Sequence, residues 1–141
     1  MRDLYQPKDY SIGVIAYCQT QSDIYYLLIR HTKWHRAFPK GHPESWETMK
    51  QTALRELHEE TWVNQIILWD QIYTEHYQFI SHGGIIIKQV DYFLGQCDEC
   101  RPTTIQPEET IKAWWYNYDE SIKLLTFEQS KDLLRQIHIT I

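Results

Sequence analysis

The sequence lacks a long hydrophobic run, and no apolar stretch in its 141 residues approaches the roughly 20 that cross a bilayer. The first nine residues also lack the basic, apolar and small-residue succession of a secretory signal. We therefore expect a cytoplasmic protein with no membrane partner. Cysteine is scarce, and in such a compartment Cys18, Cys97 and Cys100 are expected to be reduced thiols.

Positive charge is also in short supply, since 14 basic residues face 19 acidic ones and leave a formal charge of −5. A field of that sign repels polyanions, which makes RNA a less favoured partner. A small phosphorylated substrate remains compatible, because divalent cations can bridge acidic protein to anionic ligand. The apolar content of 43% predicts one packed domain over residues 1–141, and no pattern indicates an oligomeric state.

Hydrophobic periodicity predicts a mixed sheet with helices on its faces, in the order β, β, α, β, β, β, α. The loops are expected at residues 32–42 and 97–107, and a hairpin at Gly83 and Gly84. The expected strands cover residues 10–18, 24–30, 66–80 with a bend near Asp70, 85–95 and 112–118. The expected helices cover residues 47–61, 120–125 and 127–137, and the first should begin near Pro43 and Ser45.

Three glutamates in the first predicted helix, Glu56, Glu59 and Glu60, are spaced to project from one side of it. Clustered carboxylate oxygens are ligands that Mg²⁺ and Mn²⁺ prefer. The alternative is a solvated acidic helix face, and these three residues alone favour that alternative. Arg55 is expected to hold Glu47 in an ion pair that joins the preceding loop to the helix.

The spacing over a longer segment favours the metal site over the solvated helix face. Residues 41–63 resemble the Nudix box, G-x5-E-x7-R-E-U-x-E-E-x-G-U, with the sequence GHPESWETMKQTALRELHEETWV. Eight of its nine specified positions match: Gly41, Glu47, Arg55, Glu56, Leu57, Glu59, Glu60 and Val63. Trp62 stands where the family has glycine, a residue that leaves a helix easily with positive φ. We expect the helix to end differently here, with a local reshaping and the chemistry retained.

The resemblance implies the Nudix fold, an α/β/α sandwich of the α+β type around a mixed sheet. It also implies Mg²⁺- or Mn²⁺-dependent hydrolysis of a phosphoanhydride bond in a nucleotide. Its metal ligands would be the Gly41 carbonyl, Glu56, Glu60 and, with further ions, Glu59, which we also count among the catalytic residues. The general base would be Glu56 or an acid from a distant loop, for which Glu109 is preferred over its neighbour Glu108.

The segments around the box narrow the resemblance to asymmetric diadenosine tetraphosphate hydrolases, which form ATP and AMP. FPKGHPE, QTALREL and the run from Lys112 to Gln136 carry it. Two alternatives stay open: removal of pyrophosphate from the 5′ end of RNA, and a catalytically silent Nudix domain that senses a nucleotide.

Several side chains are candidates for contact with such a substrate. Lys40 lies beside the metal loop, Lys88 either points into the cleft or faces solvent, and His42 either binds phosphate or stabilises its loop. Tyr77, Phe79 and Tyr116 are candidates for stacking on adenine. Trp34, His35 and Arg36 would border the entrance. Cys97 and Cys100 form only half of a zinc motif, so zinc is not expected.

Overall fold

The computed structural model describes residues 8–30, 35–103 and 112–141. The strands are β1 Lys8–Gln19, β2 Ile24–Arg30, β3 Arg36–Ala37, β4 Lys40–Gly41, β5 Ile67–Ser81, β6 Gly84–Cys97 and β7 Lys112–Asn117. The helices are α1 Met49–Thr61, α2 Tyr118–Leu124 and α3 Glu128–Thr140. No helix in these ranges is long and apolar enough to cross a membrane.

The strands in the described ranges form one mixed sheet in which β7, β2, β1, β6 and β5 are successive neighbours. Among the strands in these ranges, β1 and β6 alone run parallel, and the short strands β3 and β4 pair with β2 and β1. One core cluster joins α1 to a face of the sheet, and a second joins α2 and α3 to the opposite face. The expected α/β/α sandwich is therefore confirmed.

The predicted element order is confirmed along the described ranges, including the bend near Asp70, where the β5–β6 register shifts between Leu68 and Ile72. The predicted hairpin is present but turns at His82 and Gly83, both with positive φ, one residue earlier than predicted, and Gly84 begins β6. The prediction of a plain loop over residues 32–42 was wrong in part, since β3 and β4 lie within it. Paired segments of two residues are too short to show a period of two.

Helix α1 begins two residues later than predicted, because Thr48 rather than Ser45 caps it. The Thr48 hydroxyl accepts from the Gln51 amide, and the Gln51 side chain accepts from the Thr48 amide, which forms a capping box. Ala53 and Leu57 are fully buried against the sheet. The remaining face of α1 is thereby left to carry the charged residues of the motif.

Trp62 ends α1 in the left-handed conformation, with φ 65° and ψ 7°, and its amide donates to the His58 carbonyl at 2.7 Å. The expectation of a different helix end was therefore wrong, because tryptophan adopts the backbone that glycine would. Its side chain is 61% exposed, so little packing opposes this conformation, whereas the next residue, Val63, is buried. The backbone strain is confined to position 62, and the helix ends as it would with glycine there.

Replacing Trp62 by glycine should stabilise the protein, because a residue with Cβ costs about 1 kcal/mol in this conformation. We expect Trp62→Gly to raise the free energy of unfolding by about 1 kcal/mol over the parent, measured in urea. Trp62→Ala, which keeps Cβ, is the matched control and should not gain this stability. A Trp62→Gly protein that is less stable than Trp62→Ala would contradict the assignment of backbone strain.

Two of the three cysteines form a disulfide, Cys18–Cys100, with Cα atoms 5.4 Å apart, and Cys97 is a buried free thiol. The expectation of reduced thiols was wrong for this pair. Parallel pairing of β1 with β6 sets Cys18 beside Cys97, and the turn after β6 returns Cys100 to Cys18. The half zinc motif is not formed, because one of its sulfurs is bonded elsewhere.

Candidate active site

Arg55 ties the loop before α1 to the helix. Its Nε donates to Glu47 Oε2 at 2.6 Å and one terminal nitrogen donates to Glu47 Oε1 at 2.9 Å, which is the expected ion pair in a two-bond arrangement. The same terminal nitrogen also reaches the His42 carbonyl at 3.0 Å. The Arg55 guanidinium holds the pKa of Glu47 down, at about 2. The loop is thus held against the helix by a charged contact of two hydrogen bonds.

Glu56 lies directly against Gly41. A Cβ atom built on Gly41 would overlap the Glu56 carboxyl group, so any other residue at position 41 would have to displace it. The Glu56 Oε1 atom accepts from Arg55 at 2.8 Å. Burial raises the pKa of Glu56, although Arg55 opposes the shift. The absence of a side chain at Gly41 is therefore what allows a carboxylate to reach the loop backbone.

Glu60 is buried, with 9% of its surface exposed. Its Oε1 atom accepts from the Lys40 backbone amide at 2.9 Å. Burial raises the pKa of Glu60 to about 8, although the hydrogen bond from the Lys40 amide acts to lower it. The negative charges of Glu56 and Glu59 add to the increase. Glu56 and Glu60 thus approach the Lys40–Gly41 backbone from consecutive turns of α1.

Glu59 lies further out, with 55% of its side chain exposed, and contacts Arg55 at 3.3 Å. Within the described ranges, no three acidic, histidine or cysteine side chains converge tightly enough to enclose an ion. Arg55 draws Glu56 and Glu59 to itself, while the Lys40 amide holds Glu60. The oxygens nevertheless suit a hard divalent cation, because two carboxylates flank one peptide backbone.

Lys88 is buried, with 6% exposed, so the solvent-facing interpretation was wrong. Its Nζ donates to Ser11 Oγ at 2.6 Å and to Asp9 Oδ2 at 3.0 Å. The other Asp9 oxygen pairs with His42 Nε2 at 2.7 Å. Burial opposes ionisation of Asp9, but the bonds from Lys88 and His42 outweigh it and lower its pKa. Asp9 therefore joins two predicted substrate contacts, a role that sequence reasoning missed.

Glu75 is a second acid that the sequence did not reveal. It is 6% exposed and accepts from the hydroxyls of Tyr92 at 3.1 Å and Ser130 at 3.0 Å. Burial raises its pKa, while Lys40 and Lys88 act in the opposite direction. Burial also lowers the pKa of Lys40, although the negative charges of Glu75 and Glu60 act to raise it. The charge of Lys40 thus acts on both Glu60 and Glu75.

Comparison with known proteins identifies the family that this motif belongs to. The NUDIX domain model matches residues 7–136, which is most of the chain. The chain belongs to the Nudix family. It therefore shares the family's hydrolysis of phosphoanhydrides in nucleoside polyphosphates and its general use of divalent metal ions.

Three solved structures show how widely this Nudix fold is shared. A Caenorhabditis elegans Ap4A hydrolase in a binary complex is 24% identical with a TM-score of 0.80, over 94% of this chain and 96% of that one. The Escherichia coli dihydroneopterin triphosphate pyrophosphohydrolase is 18% identical with a TM-score of 0.74, over 96% and 99%. The NUDIX domain of Shewanella oneidensis NrtR with ADP ribose is 16% identical with a TM-score of 0.70, over 99% and 92%.

The two tyrosines predicted to stack on adenine in this Nudix domain lie far apart. Tyr77 is on β5 and Tyr116 on β7, at opposite edges of the five-strand order, so they are separated by roughly 19 Å or more. The two cannot clamp the same base. Tyr77 instead stacks on Phe127, with ring centroids 5.1 Å apart, and His35 lies 5.6 Å from Phe127. Sequence reasoning missed Phe127, which lies just before α3.

The remaining predicted residues divide into two groups. Arg36 lies in β3, where its amide donates to the Thr126 hydroxyl at 2.8 Å, and Phe79 is 39% exposed near the end of β5. Glu108, Glu109 and Trp34 lie outside the residues that the structure describes. The choice between Glu56 and Glu109 as general base of this Nudix domain therefore stays a prediction.

The buried Glu60 should make the stability of the metal-free protein depend on pH. Its pKa of about 8 exceeds its ordinary value of 4.5, so the folded state binds more protons between these limits. The free energy of unfolding should therefore fall as pH rises from about 4.5 to about 8. In EDTA at pH 9, Glu60→Gln should be more stable than the parent, by on the order of 2 kcal/mol.

The measurement is urea denaturation in EDTA between pH 5 and pH 9. The exposed Glu44→Gln, a change of the same kind in the adjacent loop, should follow the parent throughout. A Glu60→Gln protein that loses stability with pH as steeply as the parent would show that Glu60 is not the responsible group.

Proposed function

We propose that this protein hydrolyses dinucleoside polyphosphates, and that its preferred substrate is diadenosine tetraphosphate, which it cleaves to ATP and AMP. The observation that carries the proposal is the pair of carboxylates, Glu56 and Glu60, against the Lys40–Gly41 backbone. Lys88 is connected to His42 of the same loop through Asp9. The similarity to the nematode Ap4A hydrolase fold, together with FPKGHPE and the C-terminal run, supports this choice among Nudix substrates.

The metal would be held by Glu56, Glu60 and the Gly41 carbonyl, with Glu59 at the exposed rim for a further ion. Bound Mg²⁺ or Mn²⁺ would neutralise phosphate oxygens and acidify a water molecule for attack on phosphorus. Arg55 holds Glu47 and the loop in place, so it acts as a positioning residue. Glu56, whose pKa burial raises, is suited to accept a proton, and Glu109 is the second candidate for that role.

The chain's own cations would orient the polyphosphate. Lys40 and Lys88 carry charge into a partly dry region, where contact with phosphate oxygens is stronger than in water. Asp9 holds Lys88 and His42 from either side, which limits their side-chain freedom before substrate arrives. We propose that Lys40, Lys88 and His42 contact phosphates and that Tyr77 contacts a base. Tyr116, on the opposite edge of the sheet, would not share that base.

The variant Glu60→Gln tests the metal site. It should lower kcat for diadenosine tetraphosphate at least a hundredfold in saturating Mg²⁺, because the amide loses the charge that holds the ion. Glu44→Gln should keep parental turnover. Since Glu60→Gln is expected to be as stable as the parent or more so, loss of activity could not be attributed to misfolding. Parental activity in Glu60→Gln, or no turnover by the parent, would support a silent domain instead.

Substrate choice is tested by comparing kcat/KM for diadenosine tetraphosphate with values for ATP, ADP-ribose and 5′-triphosphorylated RNA. We expect the dinucleotide to exceed each of the others at least tenfold. The negative net charge disfavours the RNA strand, because each added phosphate meets the same repulsive field. A higher kcat/KM for the RNA would replace this proposal with 5′ pyrophosphohydrolase activity.

A further inference from the structure

Three basic residues lie side by side on adjacent strands at one end of the sheet. Arg30 in β2 is the cross-strand partner of Arg36 in β3 and also of Lys112 in β7. Directly paired residues of antiparallel strands share a face, and neighbouring strands are about 4.8 Å apart. The three side chains, which we term the cationic row, therefore lie within about 10 Å and line one cleft.

Like charges set opposite one another destabilise a sheet unless something of opposite charge lies between them. Among residues 8–30, 35–103 and 112–141, no carboxylate forms an ion pair with any member of the cationic row. In the same ranges Arg36 Nε is the one buried side-chain nitrogen or oxygen without a hydrogen-bond partner. A buried donor of this kind loses its water contacts and needs an acceptor.

The wall of the cleft is aromatic. Trp114 follows Lys112 on the same face of β7, and its side chain is 56% exposed, while Tyr116 comes next along that face. The cleft has a cavity volume of about 70 Å³, so it can hold a phosphate group, and a base would lie outside it against the exposed Trp114 ring. Its floor is held in place, because the Arg36 amide and carbonyl both bond to Thr126.

We propose that the cationic row and Trp114 form a second binding site, for a nucleoside phosphate, apart from the metal site. Guanidinium groups match phosphate oxygens with paired hydrogen bonds, and the Arg36 Nε donor would gain its acceptor. The exposed indole offers a flat face to the base. Arg36 precedes Lys40 by four residues, so the two Cα atoms are at most about 14 Å apart, and the two sites share one loop.

A small nucleotide fits these features better than an RNA strand. The row presents three positive charges to one cleft, which matches the charge of a single mono- or diphosphate group. The protein as a whole is negative, so it offers no extended basic track for a backbone. The site stands independently of the proposed hydrolysis, because it contains no residue assigned to metal binding.

The test is calorimetric titration of the parent with AMP, adenosine and inorganic phosphate in EDTA, where the metal site is inactive. AMP should bind at least tenfold more tightly than adenosine, and Arg30→Gln/Lys112→Gln should weaken AMP at least tenfold. The control Lys50→Gln/Arg135→Gln removes the same charge from cations elsewhere and should stay within twofold of the parent. Trp114→Leu should reduce the preference for AMP over inorganic phosphate.

Several results would overturn the proposal. Equal affinity for AMP and adenosine would exclude the cationic row as the phosphate contact, as would equal affinity of the two double variants. Binding of AMP only when Mg²⁺ is added would assign it to the metal site. Tighter binding of a short single-stranded RNA than of AMP would replace the small ligand with a nucleic acid. Hydrolysis assays play no part in these readings, so this proposal and the proposed function can fail separately.

Discussion

The contact between Gly41 and the Glu56 carboxylate constrains the rest of the site. Helix α1 can lie close enough to β4 for its acids to reach the loop backbone only because position 41 has no side chain. Once that distance is set, Glu60, one turn further on, meets the Lys40 amide. Arg55 joins the loop to the helix, because it binds Glu47 in the loop and Glu56 in the helix. The backbone geometry of the loop and the positions of the charged side chains therefore both depend on the short distance between α1 and β4.

Bringing these acids together opposes the stability of the fold, since burial raises the pKa of Glu56 and Glu60 and the neighbouring negative charges add to the increase. The protein compensates with cations of two kinds. Arg55 offsets the outer acids through hydrogen bonds at the helix surface, whereas Lys40 acts on Glu60 and Glu75 through the field in the interior. The repulsion between these carboxylates lowers the stability of the fold. A cation bound among them would relieve that repulsion, so the site is suited to bind one.

The parts of this structure that follow a local rule could be predicted from the sequence. Strand β2 matches its predicted bounds, and Glu56, Glu59 and Glu60 project from one side of α1 because fixed spacing on a helix determines direction. Asp9, Glu75 and Phe127 could not be found this way, since each gains its role from partners distant in the chain, such as Lys88, Ser130 and Tyr77. The disulfide was missed for the same reason, because parallel β1–β6 pairing sets its geometry.

Trp62 shows how a motif position can differ while its geometry persists. The left-handed residue is favoured by the hydrogen bond from its amide to His58 and by the burial of Val63, and neither depends on the side chain at position 62. Glycine lowers the energy of that conformation but does not create it. The same reasoning separates positions 41 and 62, both glycine in the family box. At Gly41 a side chain would occupy the space of the Glu56 carboxylate, whereas at Trp62 it extends into solvent, so only the first is required for the site to form.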